Sequence, residues 1–224
     1  NPKDESPSTD FQLFQEIYEG LKARTKLIIQ ISTGGRAGMA YEQRSDRLAL
    51  KPEMASLTTG SVNFPDSVYA NSPELIERLA RDMQAHGIKP EMEVFEVGQV
   101  LQAIDLIDKG LIADPPYFQL CLGIPWGMPA DLEALLALKA RLPQGCRWSA
   151  LGTGANQLPV TTHAMLMGGN VRVGFEDNLY LARGVKAESN AQFVERTVRI
   201  AREMQREVAT CAEARALLGL PAAK

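Results

Sequence analysis

Histidine is nearly absent: His86 and His163 are the only two in 224 residues. Neither belongs to an H-x-H or H-E-x-x-H pattern, so the given residues cannot build a histidine-rich metal centre by themselves. Cysteine is scarce and odd in number. Cys121, Cys146 and Cys211 show no C-x-x-C spacing, which excludes a disulfide framework and a thiolate zinc site and leaves buried, reduced thiols as the expectation. An excess of positive charge is also missing. With 24 Lys and Arg against 27 Asp and Glu the net charge is -3, so no electrostatic case exists for nucleic acid or an anionic membrane. Apolar runs stay at strand length, and the opening N-P-K-D-E-S-P-S-T-D lacks the basic-then-apolar order of a signal peptide, so a soluble, cytoplasmic protein is expected. No G-x-S-x-G supports a serine hydrolase and no Walker loop supports a nucleotide hydrolase.

What is present is alternation. Phe11, Phe14, Ile17 and Leu21 recur at helical spacing behind Ser8-Thr9-Asp10, and the spacing predicts strands at 27–32, 54–59, 92–97, 117–122, 147–151 and 171–175. Helices are predicted between them, at Ser72-Pro73-Glu74 to Gly87, 100–109, 130–141 and 160–167, followed by 190–205 and a last helix behind the Thr210-x-x-Glu213 capping box. Six strands interleaved with helices mean a parallel sheet covered by helices. Small or reactive residues end nearly every strand: Ser32-Thr33-Gly34-Gly35, Thr58-Thr59-Gly60, Glu93 to Glu96, Gly123, Gly152-Thr153-Gly154 and Glu176-Asp177. That distribution favours a (β/α) barrel over an open sheet, whose ligands gather at one switch point. One domain over 1–224 is expected.

The segment N-V-R-V-G-F-E-D-N, Asn170–Asn178, is the most informative. Strand alternation would place Arg172, Gly174 and Glu176 on one face and Val171, Val173 and Phe175 on the other. A cation and an anion on one face of an apolar strand fit either a structural ion pair or a polar constellation at a strand end. Two glycine-rich loops carry similar alternatives. Ser32–Gly38 suits an anion cradle or a turn needing positive φ, and Gly152–Gln157 lacks the third glycine of a dinucleotide fingerprint but leaves a phosphate-approaching loop open. His86 reads as a residue of a helix C-terminus, His163 as a helix residue, and Trp126 in Pro125-Trp126-Gly127 as either a pocket-mouth or a packing residue.

The order S-T-G-G-x-x-G (32–38), P-E-M-A-S-L (52–57), G-x-x-N-F (60–64), G-I-K-P-E-M-E-V-F (87–95) and G-G-N-V-R-V-G-F-E-D-N (168–178) resembles the β-keto acid cleavage enzymes, typified by 3-keto-5-aminohexanoate cleavage enzyme, over essentially the whole chain. The resemblance implies a (β/α)8 TIM barrel, usually a homotetramer, with about six βα units in these residues. It implies a divalent metal, typically zinc, and a reaction of a β-keto acid with acetyl-CoA giving acetoacetate and a new CoA thioester. Glu176 would ligate the metal with an H-x-H pair expected upstream of Asn1. Asp177 would be the general base and Arg172 would offset developing charge. Ser32 and Ser56, with Thr33 and Gly34, would contact the substrate carboxylate or thioester, and Glu93 would meet a substrate amino group. Gly152, Gly154 and Asn156 would approach the CoA, with Arg183 or Lys186 replacing a cation that the family often has beside Gly154. The alternatives are a metal-dependent keto-acid aldolase or decarboxylase that does not use CoA, and a non-catalytic small-molecule binding domain.

Overall fold

Local signals set most elements where the sequence puts them. The Ser72 hydroxyl accepts from Leu75 N at 3.2 Å, Pro73 occupies the first helical turn, and Gly87 stops the helix at φ +69°. Asp10 caps the first helix in the same way, accepting from Gln12 N at 2.9 Å. The protein, seen in a computed structural model that describes residues 3–4, 8–35 and 39–222, runs α1 (Phe11–Arg24), β1 (Gln30–Ile31), α2 (Tyr41–Ser45), β2 (Met54–Thr58), β3 (Val62–Phe64), β4 (Ser67–Tyr69), α3 (Pro73–His86), β5 (Lys89–Val94), α4 (Val97–Asp108), β6 (Tyr117–Leu122), α5 (Leu132–Lys139), β7 (Arg147–Gly152), α6 (Gln157–Leu166), β8 (Asn170–Val171), β9 (Tyr180–Ala182), β10 (Val185–Lys186), α7 (Asn190–Glu203) and α8 (Cys211–Leu218). Among the described residues no helix is long and apolar enough to cross a membrane.

Strands β1, β2, β5, β6, β7 and β8 form one all-parallel sheet in that spatial order, curled into a half-barrel. Each new strand joins the same edge, with no reversal of direction, which is the winding of a barrel rather than of a doubly wound sheet. Helix α3 packs on β2 and β5, α4 on β5, α5 on β6, and α6 on β7 and β8. All four lie on the convex face. There Leu57, Met92, Val94, Phe118, Leu120, Leu122 and Ala150 are fully buried against them, at about 1.5–3 kcal/mol for each large side chain.

The register then dictates the other face. Because Ser56 pairs with Glu91, Thr58 with Glu93 and Glu93 with Gln119, and Gln119 pairs with Ser149, a polar layer crosses the concave side. Burying carboxylates there costs several kcal/mol each unless they are partnered, so the concave face is built for something other than stability.

Several expectations need correction. The strand expected at 171–175 ends at Val171, because Gly174 adopts φ +154° and its carbonyl accepts from both Asp177 N and Asn178 N in a turn. The strand expected at 92–97 is Lys89–Val94, since Lys89 and Pro90 look like turn residues but enter the ladder beside Met54 and Ala55. The strand at 27–32 shrinks to Gln30–Ile31. On α1 the apolar face is largely open: Ile17 and Leu21 are exposed and only Tyr18 is buried. The hairpins β3–β4 and β9–β10 were not foreseen.

Candidate active site

Arg172 leaves the sheet just after β8, where its amide donates to Ala150 O at 3.2 Å. The turn that follows folds the chain back, so that Glu176 and Asp177 reach Arg172 through a reverse turn and not through strand alternation. Asp177 takes the guanidinium as a fork, with Nε at 3.0 Å from one carboxylate oxygen and Nη2 at 3.1 Å from the other. Arg172 Nη1 lies 3.2 Å from Glu93, and Nη2 lies 2.8 Å from Glu176. One cation therefore faces three carboxylates.

Three neighbouring elements hold the turn. Gly154 N donates to Asp177 O at 2.7 Å, Gln157 Nε2 to Gly174 O at 3.2 Å, and Phe175 N to Asn190 Oδ1 at 2.9 Å. Phe175 also meets the Phe193 ring edge-on. A Cβ on Gly174 would sit 3.0 Å from Asn190 Oδ1 in a conformation that side chains rarely adopt, so glycine is required there.

Burial and charge act in opposite directions on this cluster. Burial pushes the Glu93 and Asp177 carboxyls up, against the pull of Arg172. For Arg172 burial pulls down, but Asp177, Glu176 and Glu93 outweigh it and the guanidinium is held more firmly protonated than usual. Glu93 also accepts from Thr58 Oγ1 at 2.9 Å. One pleat below, Glu91 is buried, bonded to Gln30 Nε2, and pushed up to about 7 by burial and by Glu93.

Arg172, Glu93, Glu176 and Asp177 line a cavity of about 1080 Å³ at the C-terminal ends of the strands, together with Ser32, Gly34, Thr58, Thr153 and the rings of Phe14, Phe64, Tyr69 and Phe95. A second cavity of about 370 Å³ lies deeper, against Ser56, Glu91, Tyr117 and Gln119. Both share Ser32, Glu93, Arg172 and Glu176. The volume suits a sizeable organic ligand.

The other expected residues divide. Ser32 and Gly34 line the large cavity, and Ser56 lines the deeper one, its hydroxyl accepting from Thr33 N at 3.2 Å. Thr33 is buried and spends its hydroxyl on Ser56 O at 2.6 Å, away from the cavity. Arg36, Ala37 and Gly38 of the same loop lie outside the described residues. In the loop after β7 only Thr153 lines the cavity. Gly152 is an approach point: a Cβ there would fall 2.5 Å from Asn156 O. Gly154 and Asn156 are exposed beside it, and Arg183 and Lys186 sit exposed on the β9–β10 hairpin and line neither cavity.

A zinc centre is not assembled by these residues. Among the described residues no group of three or more His, Cys, Asp and Glu is placed to hold a metal. His86 ends α3 as expected, 2.8 Å from Asp82 O, and His163 lies on α6. Glu176, exposed at the cavity, is one carboxylate without imidazole neighbours, and Glu93 and Asp177 are engaged by Arg172.

Four contributors escaped the sequence reading: Glu91, Arg44, Arg47 and Tyr69. Glu91 was findable as the period-two mate of Glu93. Arg44, buried and donating to Thr33 O at 2.8 Å and to the Tyr69 hydroxyl at 2.8 Å, sits in a polar run that gave no signal. Arg47 likewise braces the loop, donating to Ser32 O at 3.2 Å.

Residues 1–220 match the family model described as beta-keto acid cleavage enzyme. The chain belongs to the β-keto acid cleavage enzyme family. Among its relatives, a 3-oxoadipate:acetyl-CoA acetyltransferase of Cupriavidus necator is 41% identical, the match covering 97% of this chain and 78% of the relative. A 3-keto-5-aminohexanoate cleavage enzyme of Acetoanaerobium sticklandii is 40% identical over 97% of this chain and 80% of its own length. Among solved structures, a binary complex of ObcA with oxaloacetate superposes with a TM-score of 0.79 at 21% identity, covering 95% of this chain. The chain spans 57% of that ObcA chain. At this identity the likeness shows the fold, a barrel-like α/β architecture for this family member.

Proposed function

We propose that this chain carries out the family reaction: a β-keto acid and acetyl-CoA exchange acyl groups to give acetoacetate and a new acyl-CoA. The observation that carries the reading is Arg172 among three carboxylates at the strand ends of a family member whose relatives are named for acetyl-CoA transfer. An eight-stranded barrel, a homotetramer and zinc at Glu176 belong to the same reading and rest on the resemblance alone, and a cytoplasmic setting rests on the sequence, whose apolar runs stay at strand length.

The roles follow from charge. Asp177 takes a proton from the carbon between the ketone and the carboxylate of the keto acid, leaving an enolate. As Asp177 loses its charge, the enolate gains one within reach of the same guanidinium, so Arg172 exchanges one anionic partner for another. The enolate carbon attacks the acetyl carbonyl and CoA leaves as thiolate. That thiolate then attacks the original ketone, the carbon–carbon bond breaks, and the released acetoacetate carbanion recovers the proton from Asp177. Carbon, sulfur and proton all balance without water. Ser32, on a loop braced from behind by Arg44 and Arg47, and Ser56, on β2, face the carboxylate of the keto acid, and Glu93 faces its distal substituent.

Incubating the protein with a panel of β-keto acids and acetyl-CoA should give acetoacetate and new thioesters in equal amounts. Keto-acid consumption that is equally fast without acetyl-CoA overturns the reading in favour of an aldolase or decarboxylase. No turnover with any keto acid of a broad panel leaves a binding domain.

A further inference from the structure

The loop after β6 carries a feature that the chemistry at Arg172 does not use. Ile124-Pro125-Trp126-Gly127 is a tight turn closed by Gly127 N to Ile124 O at 3.0 Å, and Trp126 occupies its third position at φ +68°. Glycine or asparagine is the usual occupant of that position. A tryptophan there is strained, and its ring is not repaid by packing, being 73% exposed. Trp148, the other tryptophan of the chain, shows the contrast: it is partly buried against the core and lies over Gly169.

We propose that Trp126 is a stacking platform for the adenine ring of the acetyl-CoA donor at the rim of the cavity, an inference that rests on the acyl-exchange reading above. Ile124 and Pro125, the two residues before it, line the large cavity. The turn is rigidly seated, with Gly123 N on Met128 O at 2.9 Å and Met128 N on Phe95 O at 3.0 Å, so the ring is presented at a fixed place. The thioester carbonyl must reach Arg172 at the strand ends, and the pantetheine arm then carries the nucleotide out to the rim. The β6 loop and the β7 loop meet there: Thr153 Oγ1 donates to Gly123 O at 2.7 Å, and the exposed Asn156 amide stands beside Gly123. A flat, exposed indole at the mouth fits a purine face, because every base offers a π-surface and stacking needs no hydrogen-bond code.

The strain supplies a clean variant. Trp126→Gly relaxes the turn, so a loss of function cannot be assigned to misfolding, and Trp126→Phe keeps a ring. With acetyl-CoA as donor, Trp126→Gly should raise KM on the order of tenfold with Trp126→Phe in between, and with S-acetylpantetheine, which lacks the nucleotide, wild type and variant should coincide. Adenosine 3′,5′-bisphosphate should quench wild-type tryptophan fluorescence and leave that of Trp126→Gly unchanged. An unchanged KM for acetyl-CoA, an equal rise with both donors, or a changed oligomer mass without a change in KM overturns the proposal. If the wild-type protein uses no acetyl-CoA at all, the acyl-exchange reading has failed, and the fluorescence titration still decides whether Trp126 holds an adenine nucleotide.

Discussion

The amide of Gly154 donates to the carbonyl of Asp177 at 2.7 Å, tying the loop after β7 to the turn after β8. The turn that bears Asp177 therefore has little freedom of its own. Its position is set by the neighbouring loop, which is itself pinned to Leu122 O through Thr153 N and to Gly123 O through the Thr153 hydroxyl.

That dependence makes Gly152 a test of positioning. A methyl group at Gly152 would fall 2.5 Å from Asn156 O and 2.9 Å from Val160 Cβ, and the backbone oxygen cannot rotate away. Gly152→Ala should destabilise the protein by about 1–3 kcal/mol, the usual cost of overpacking, and should reduce kcat as the Asp177 turn shifts. Thermal denaturation and steady-state kinetics on the same preparation check both. Unaltered stability and kcat would show that close packing at Gly152 does not set the position of the Asp177 turn.

Arg172→Ala removes the guanidinium that would pass from Asp177 to the enolate as its ionic partner. The expected loss is about 10²–10³-fold in kcat, as for one oxyanion stabiliser, with a smaller change in KM. Arg172→Lys should recover only part of it, because an ammonium cannot hold Asp177 as a fork and reach Glu93 as well. A variant altered in KM alone would reassign Arg172 to ground-state binding.

The buried Glu91 couples stability to pH. Its carboxyl, pushed up to about 7 from an ordinary 4.5, keeps in the folded state a proton that the unfolded chain has already released. Protons bound by the native state favour it as pH falls, so this contribution is fully present below about pH 4.5 and is lost as pH rises through about 7. At about 1.36 kcal/mol per unit the span is about 3 kcal/mol. Glu91→Gln keeps an acceptor for Gln30 Nε2 and removes the titration. Its melting temperature should exceed that of wild type by several degrees at pH 8 and approach it at pH 5. Parallel melting curves for the two proteins between pH 5 and 8 would show that Glu91 does not titrate there.

How much of this was legible depends on how local the cause is. Helix α3 was readable because Ser72, Pro73 and Gly87 act within a turn of its ends. The Pro65-Asp66 turn joining β3 to β4 left a signal that passed unread. The turn at Gly174 left none in its own segment: it depends on Asn190, fifteen residues beyond Phe175, and on Gln157 in another helix. Alternation thus predicted that Arg172 and Glu176 come together, and gave the wrong route. Thr33 shows the same limit, since only the position of Ser56 on the next strand takes its hydroxyl out of the cavity.

Asp177→Asn separates proton transfer from architecture. The asparagine oxygen can still accept from Arg172, and the Asp177 carbonyl that holds Gly154 belongs to the backbone, so the turn should survive. What disappears is the group that takes the proton and the charge that is handed to the enolate. Acetoacetate and new thioester should therefore vanish together, at an expected loss of about 10²–10⁴-fold for a general base, while keto-acid binding by direct titration changes far less. Exchange of the protons at the carbon between ketone and carboxylate into deuterated water, followed without acetyl-CoA, isolates the first step. Wild type should catalyse that exchange and Asp177→Asn should not. Equal exchange in the two proteins would move the base elsewhere, with Glu93, 3.2 Å from Arg172 Nη1 and raised by burial, the next carboxylate to test.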